Sequence, residues 1–149
     1  MAAFDQPEIN LSKNNERLLL DLAQVQELKK LVHRGEGSHL EFKRKASQPD
    51  KIAKELIAFA NSSGGIMLIG VDDDKSIPGL KYPEEESHAI NAILEKQCWP
   101  KLVFAERAIR ISEKHFVLQL DIPKSERPPH FFVISPDRKE AYIRLTTNA

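Results

Sequence analysis

Apolar positions recur along the chain with changing period, and each change marks a new element. Between residues 12 and 33, Leu18, Leu22, Val25, Leu28 and Val32 follow helical spacing, which predicts an amphipathic helix stopped by Gly35 and Gly37. Residues 1–11 are polar with one proline and read as a loose lead-in. Residues 40–45 alternate apolar and charged side chains, the period of a short strand. Pro49 then opens a helix with Ile52, Leu56, Phe59 and Ala60 on one face. Residues 66–71 are apolar on both faces, which predicts a central strand. Pro83 followed by Glu84, Glu85 and Glu86 starts another helix, where carboxylates suit the positive end of the dipole; its apolar face is assigned to Ala89, Ile93 and Leu94. Alternating strands are predicted at 103–111 and 115–122, joined by a tight turn at Ser112, Glu113 and Lys114. A proline-bearing loop at 124–129 leads to a last strand pair, 130–134 and 141–145, around Pro136 and Asp137. After the N-terminal helix the order β-α-β-α-β-β-β-β implies one α/β (α+β) domain, a mixed sheet with helices against it.

Composition narrows the function classes. At 149 residues the chain is long enough for one core, and its hydrophobic content of 41% is that of an ordinary globular domain. Its formal net charge is zero, which argues against attachment to DNA or membrane by bulk basicity. Charge is locally uneven: Lys43, Arg44, Lys45, Lys51 and Lys54 lie close together, whereas Asp72, Asp73, Asp74, Glu84, Glu85 and Glu86 form an acidic block. Cys98, the single cysteine, excludes an internal disulfide and a multi-cysteine zinc site, and reads as a small buried hydrophobe. No apolar run approaches membrane-spanning length and no signal pattern opens the chain, so a cytoplasmic protein without a membrane partner is expected.

The stretch 58–79, AFANSSGGIMLIGVDDDKSIPG, holds the most informative pattern. A glycine pair beside a strand invites a phosphate-binding reading, but the order is wrong. Phosphate loops run strand, glycines, helix, whereas Gly64 and Gly65 follow a helix, at the negative end of its dipole. No GK[ST] sequence occurs, and no nucleotide cofactor is expected. Asn61 and the glycines are instead assigned left-handed backbone that ends the helix and turns the chain into the strand. Asp72, Asp74 and Ser76 imitate the start of a calcium loop, but Ile77 and Pro83 stand where its glycine and glutamate belong. What remains is a set of carboxylates at the C-terminal end of a central strand, where open α/β sheets place their sites.

A second acidic site lies upstream. In an extended segment Glu41 and Lys43 share one face and Leu40 and Phe42 the other. A carboxylate beside a lysine suits metal-assisted phosphodiester cleavage: the carboxylate holds an ion and the lysine stabilises developing charge. Glu36 across the Gly37-Ser38 bend, and Asp72 or Asp73 from the neighbouring strand, complete a set of hard oxygen ligands suited to Mg2+ or Mn2+. The competing reading is an exposed ion pair worth under ~1 kcal/mol.

The combination of Glu36, Glu41-Phe42-Lys43, the AFANS-x-GG run at 58–65, Ile69-Gly70-Val71-Asp72-Asp73 and Gly79-Leu80 resembles the Schlafen AlbA-like domain family. Tyr142-Ile143-Arg144 resembles the family's closing strand. The resemblance implies residues 1–29 as an N-terminal extension and helix, and residues 30–149 as a single AlbA-like, nucleic-acid-binding domain, regulatory in role. It also implies an alternative: a divalent-metal-dependent endoribonuclease with Glu36, Glu41, Lys43 and Asp73 as catalytic residues. Asp72 and Asp73 remain interchangeable at this point. The Schlafen nuclease core pairs two such lobes in one chain; this chain has one, so a homodimer is the expected way to supply the second.

For binding, Lys43, Arg44, Lys45, Lys51, Lys54, Arg127 and Arg144 are the candidate phosphate contacts to RNA or DNA, with His130, Arg138 and Lys139 as further members of a basic groove. Trp99 and Phe104 could stack bases, but Trp99, which follows a helix and precedes Pro100, reads first as a core residue. Leu18, Leu19 and Leu20 in succession exceed what one helix face needs, and are assigned to packing on the sheet or on a second subunit. A third functional reading, a protein-interaction or scaffold domain, is kept alive by the zero net charge.

Overall fold

The computed structural model describes residues 2–145, with side chains from residue 13 onward. The chain divides into two compact units, Met1–Arg34 and Gly35–Ala149. The first is helix α1, Ala2–Arg34, so helix replaces the expected lead-in over 2–11. Along α1, Leu18, Leu19, Leu20 and Leu22 are exposed.

The second unit is an α+β fold. Its elements are β1 (Leu40–Lys43), α2 (Pro49–Ala60), β2 (Gly65–Ile69), α3 (Pro83–Gln97), β3 (Cys98–Trp99), β4 (Ala105–Arg110), β5 (Phe116–Ile122), β6 (Phe131–Ser135) and β7 (Arg138–Glu140). A four-stranded mixed sheet has the order β1-β2-β5-β4, with β1 parallel to β2 and the remaining pairs antiparallel. The parallel pair needs a crossover, and α2 supplies it. As its two-sided apolar pattern requires, β2 is an interior strand. Met67 and Ile69 join Leu118, Leu120 and Ile122 of β5 in the core that Leu56, Phe59, Ile90 and Leu94 of the helices fill. The opposite face carries Leu40, Phe42, Leu68, Ile109 and Val117, also buried. In β1 the burial alternates as expected, with Leu40 and Phe42 in and Glu41 and Lys43 half out.

Several expectations change. The last four strands do not extend one sheet: β3, β6 and β7 form a separate antiparallel sheet, and the two-residue strand β3 that follows α3 was missed. Residues 141–145 are not a strand, although they alternate. Their alternation is inverted, with Ile143 and Leu145 exposed and Tyr142 and Arg144 turned inward. Side chains rather than a ladder satisfy that backbone: Asn61 Nδ2 donates to the Tyr142 carbonyl at 3.0 Å, and Arg144 N donates to Ser62 Oγ at 2.8 Å. Trp99 is 61% exposed and not a core residue, whereas Phe104 does pack against the core. On α3 the buried stripe runs through Ile90 and Leu94, and Ala89 lies only half-buried.

The α2–β2 junction shows why two glycines stand in a row. Gly64 has φ +76°, and a Cβ there would lie 2.6 Å from the Ile122 carbonyl oxygen. Gly65 has no such backbone demand; a Cβ on it would run into the Phe59 ring and lie 2.8 Å from the His39 carbonyl oxygen. Asn61, by contrast, is right-handed (φ −77°) and not left-handed as expected. Its work is done by the side chain: Oδ1 accepts from His130 N at 2.7 Å, while Nδ2 donates to the carbonyls of His130 and Tyr142, each at 3.0 Å. One amide thereby ties the helix end to two distant segments.

Candidate functional site

The candidate site assembles where β1, the start of α2's crossover and the C-terminal segment meet. Gly37 and Leu40 close a small bridge, so Glu36 folds back along β1 and its Oε2 accepts from Phe42 N at 3.2 Å. This places Glu36 against Glu41. Burial raises the Glu36 carboxyl, and its hydrogen bond to Glu41 together with the nearby charges of Glu41 and Asp73 carries it to about 7. Burial also works to raise Glu41, but the hydrogen bond from Glu36 and the charges of Arg144 and Lys43 hold it below its ordinary value. As pH falls below about 7 the pair therefore takes up one proton, on the Glu36 side, while Glu41 stays ionised.

Lys43 stands between two carboxylates, 2.9 Å from Glu55 Oε1 and 3.6 Å from Glu41 Oε1. Burial opposes its charge, but the hydrogen bond and charge of Glu55, and the charge of Glu41, hold it above the ordinary lysine value. Glu55 is a site residue that sequence reasoning missed. A signal was present: it stands three residues after Ile52 and four before Phe59, on the edge of the buried stripe of α2. Its Oε2 is buried and, among the described residues, is the one such side-chain atom with no hydrogen-bond partner.

Arg144 closes the site from the other side. Its guanidinium donates to the carbonyls of Ser38 (3.0 Å) and Gly37 (2.6 Å), pairs with Glu41 Oε2 at 3.3 Å, and lies 4.3 Å from the Phe59 ring centroid. The side chain that resembled part of a closing strand is thus a brace on the turn that carries Glu36.

The aspartates separate. Asp72 turns to Arg44 (2.6 Å) and organises its own turn, donating from its N to the Ser76 carbonyl at 2.9 Å. Asp73 is the one whose charge reaches Glu36. Asp74 is held down chiefly by the Ser76 hydroxyl and serves its loop alone.

Of the basic candidates, Lys43 and Arg144 are bound into this network, and Lys54 lies over the Phe132 and Tyr142 rings at 5.0 and 5.7 Å. Arg44, Lys45 and Lys51 are exposed around the β1–α2 connection, and Arg127 is exposed on a separate loop. His130 is buried, with Ser125 Oγ at 2.6 Å and the Pro100 carbonyl at 2.7 Å from its ring nitrogens, so it braces the interior and does not line a groove. Burial pushes the Cys98 thiol up to about 11, which suits an inert core position.

Hard carboxylate oxygens suit Mg2+ or Mn2+, and the proton shared by Glu36 and Glu41 sits where a cation would be welcome. Two carboxylates are in contact there and Asp73 is in electrostatic reach, but among the described residues no three His, Cys, Asp or Glu side chains converge on one ion position. No helix among them is long and apolar enough to cross a membrane.

Comparison with solved structures places the fold beside the N-terminal domain of a RecG-related protein from Nitrosomonas europaea, with 19% identity and TM-score 0.57 over 81% of this chain and 90% of that one. The DIP2311 protein from Corynebacterium diphtheriae is more distant, at 16% identity and TM-score 0.49 over 84% of this chain and 31% of that one. No curated protein sequence matches the chain. Residues 36–149, from the folded-back glutamate through the clamped C-terminal segment, match the family described as Schlafen, AlbA_2, and the chain belongs to that family.

Proposed function

We propose that this chain is a nucleic-acid-binding module that grips phosphates through the β1–α2 connection. The observation that carries the reading is the position of Arg44, Lys45 and Lys51: all exposed, on the β1–α2 connection and the first turn of α2, with Arg44 reaching Asp72 at the surface and the neighbouring Lys43 and Arg144 held by Glu55 and Glu41. In a chain of zero net charge, such a cluster is a local footprint for a polyanion. The family and a structural relative named as RecG-related and as an ATP-dependent DNA helicase support the same class of ligand. The test is anisotropy of labelled structured RNA, single-stranded RNA and duplex DNA across a salt series. Changing Arg44, Lys45 and Lys51 to glutamine should weaken all ligands alike and flatten the salt slope by up to ~2–3, at ~0.7–0.9 per lost phosphate contact. An unchanged slope sinks this assignment of the interface.

A second reading, metal-dependent endoribonuclease, is favoured by one specific observation, the Glu36–Glu41 pair with Asp73 in reach and the buried Glu55 oxygen open beside Lys43. A bound divalent ion would supply Lewis-acid stabilisation of the phosphodiester. The chain's own part is to keep Glu41 ionised through Arg144 and Lys43, and to hold Lys43 between Glu41 and Glu55 as a fixed positive charge. Glu41→Gln should abolish manganese-dependent cleavage of structured RNA and leave binding intact or tighter. RNA that is bound by the parent protein yet never cut with manganese removes this reading.

A further inference from the structure

The three-stranded sheet has one face in the core and one in water. Register assigns the faces: Trp99 pairs with Phe131 and Val133 with Lys139, so these four share a side, while Cys98, Phe132 and Glu140 share the other. Cys98 and Phe132 are buried in the core, whereas Trp99 is 61% exposed. Lys139 is exposed too, with its ammonium 4.3 Å from the Phe131 centroid and 6.0 Å from that of Trp99. The watered face thus presents the exposed Trp99 ring, the half-buried Phe131 ring beside it and a cation, and its strand positions carry no carboxylate.

An exposed indole with a second ring beside it offers apolar surface that a flat partner can cover with a gain in free energy. A planar ring stacks on a planar partner, and the lysine beside it calls for a negative charge within a few ångströms of that partner. An unpaired nucleotide has both parts, a base with a free face and a phosphate one bond series away. In a duplex the base faces are already stacked on each other. We propose that Trp99, Phe131 and Lys139 form a stacking site for unpaired bases, which makes single-stranded nucleic acid, or the loops and ends of folded RNA, the preferred ligand. This rests on the nucleic-acid reading above and adds the class of ligand to it.

Trp99 is the only tryptophan, so its emission reports this face alone. Titrating the full chain with a short end-labelled oligouridine, and with a duplex of equal length, gives anisotropy and tryptophan emission from the same samples. The single strand should quench the emission in step with binding, and the duplex should compete poorly. Trp99→Ala should weaken single-strand binding by roughly five- to a hundredfold, the range of a lost aromatic–base stack. Trp99→Phe should restore most of it, and Lys139→Gln should cost a few-fold and lower the salt slope by ~0.7. Anisotropy that rises while emission stays constant, with Trp99→Ala binding like the parent, overturns the stacking site and leaves the nucleic-acid reading standing. Emission that shifts with protein concentration before any nucleic acid is added gives the face to a second copy and overturns the site as well. If no nucleic acid binds even at low salt, both the reading and the site fall.

Discussion

The mixed sheet and the three-stranded sheet handle charge in opposite ways. At the β1 edge of the first, Glu36, Glu41, Lys43, Glu55 and Arg144 answer one another, and the arrangement is held even where burial opposes it. On the outer face of the second, Lys139 lies over aromatic rings, and the strand carboxylate, Glu140, is on the opposite face. Charges of the first kind shape a site, because moving one leaves its partners partly buried and unpaired. Charges of the second kind are available to an outside ligand. Basic residues counted along the sequence therefore overstate the charge open to a ligand: Lys43, Lys54 and Arg144 are engaged internally, Arg44 pairs with Asp72 while remaining exposed, and Lys45, Lys51 and Lys139 are exposed.

The largest expected effect breaks both regions at once. Replacing Gly64 and Gly65 together with valine should prevent soluble folding, since one position needs φ +76° and the other has no room for a Cβ beside Phe59. The Ser125 N to Ala60 carbonyl bond (2.9 Å) and the Asn61 clamp next to this turn would be lost with it. A double variant that expresses and melts like the parent contradicts this account of the junction.

Next in size is a test of the contrast itself. Arg144→Ala removes bonds to two carbonyls, an ion pair with Glu41 and the contact with Phe59, and should destabilise the domain by ~2–3 kcal/mol. Lys139→Ala should stay within ~0.5 kcal/mol, the range of a surface substitution. Equal losses in urea titrations would erase the distinction drawn between the regions.

A third expectation concerns Glu55. Its Oε1 pairs with Lys43, and its Oε2 is buried without a partner, so Glu55→Gln keeps the shape but takes away the charge that anchors the lysine. Structured-RNA affinity should change less than twofold, whereas any manganese-dependent cleavage should fall by about tenfold or more, the scale of a lost electrostatic contact. Parallel losses in both assays would place Glu55 in the binding surface instead.

The smallest effect is a pH dependence confined to the shaped site. Glu36 is raised from its ordinary 4.5 to about 7, so the folded protein holds this proton more tightly than the unfolded chain does. That contribution is fully present below about 4.5 and is lost as pH rises through about 7. Glu41 is lowered, so its own contribution is present above 4.5 and disappears as pH falls through its lower folded-state value, outside the Glu36 window. Melting temperature should therefore decline by a few degrees from pH 5 to pH 8, and Glu36→Gln, a permanent stand-in for the protonated acid, should flatten the decline. A parent protein whose melting temperature rises over that interval has its proton elsewhere.

What the sequence by itself determined rests on near neighbours. Helical period and Pro49 and Pro83 located α2 and α3, alternation located β1 and the β4–β5 hairpin, and a two-sided apolar run marked β2 as interior. The spacing of Glu36 and Glu41 and the AFANS-x-GG run carried the family. Only the tertiary structure decided which charges meet. Lys43 and Glu55 lie on different elements, Arg144 reaches Gly37 from the other end of the chain, and Arg44 pairs with Asp72 while the charge of Asp73 acts on Glu36. The same holds for Trp99, whose hydrophobicity reads as core although the register of β3 with β6 turns it to water. A local pattern records which face of an element a residue occupies; whether that face meets the core, another charge or solvent depends on segments far away in sequence.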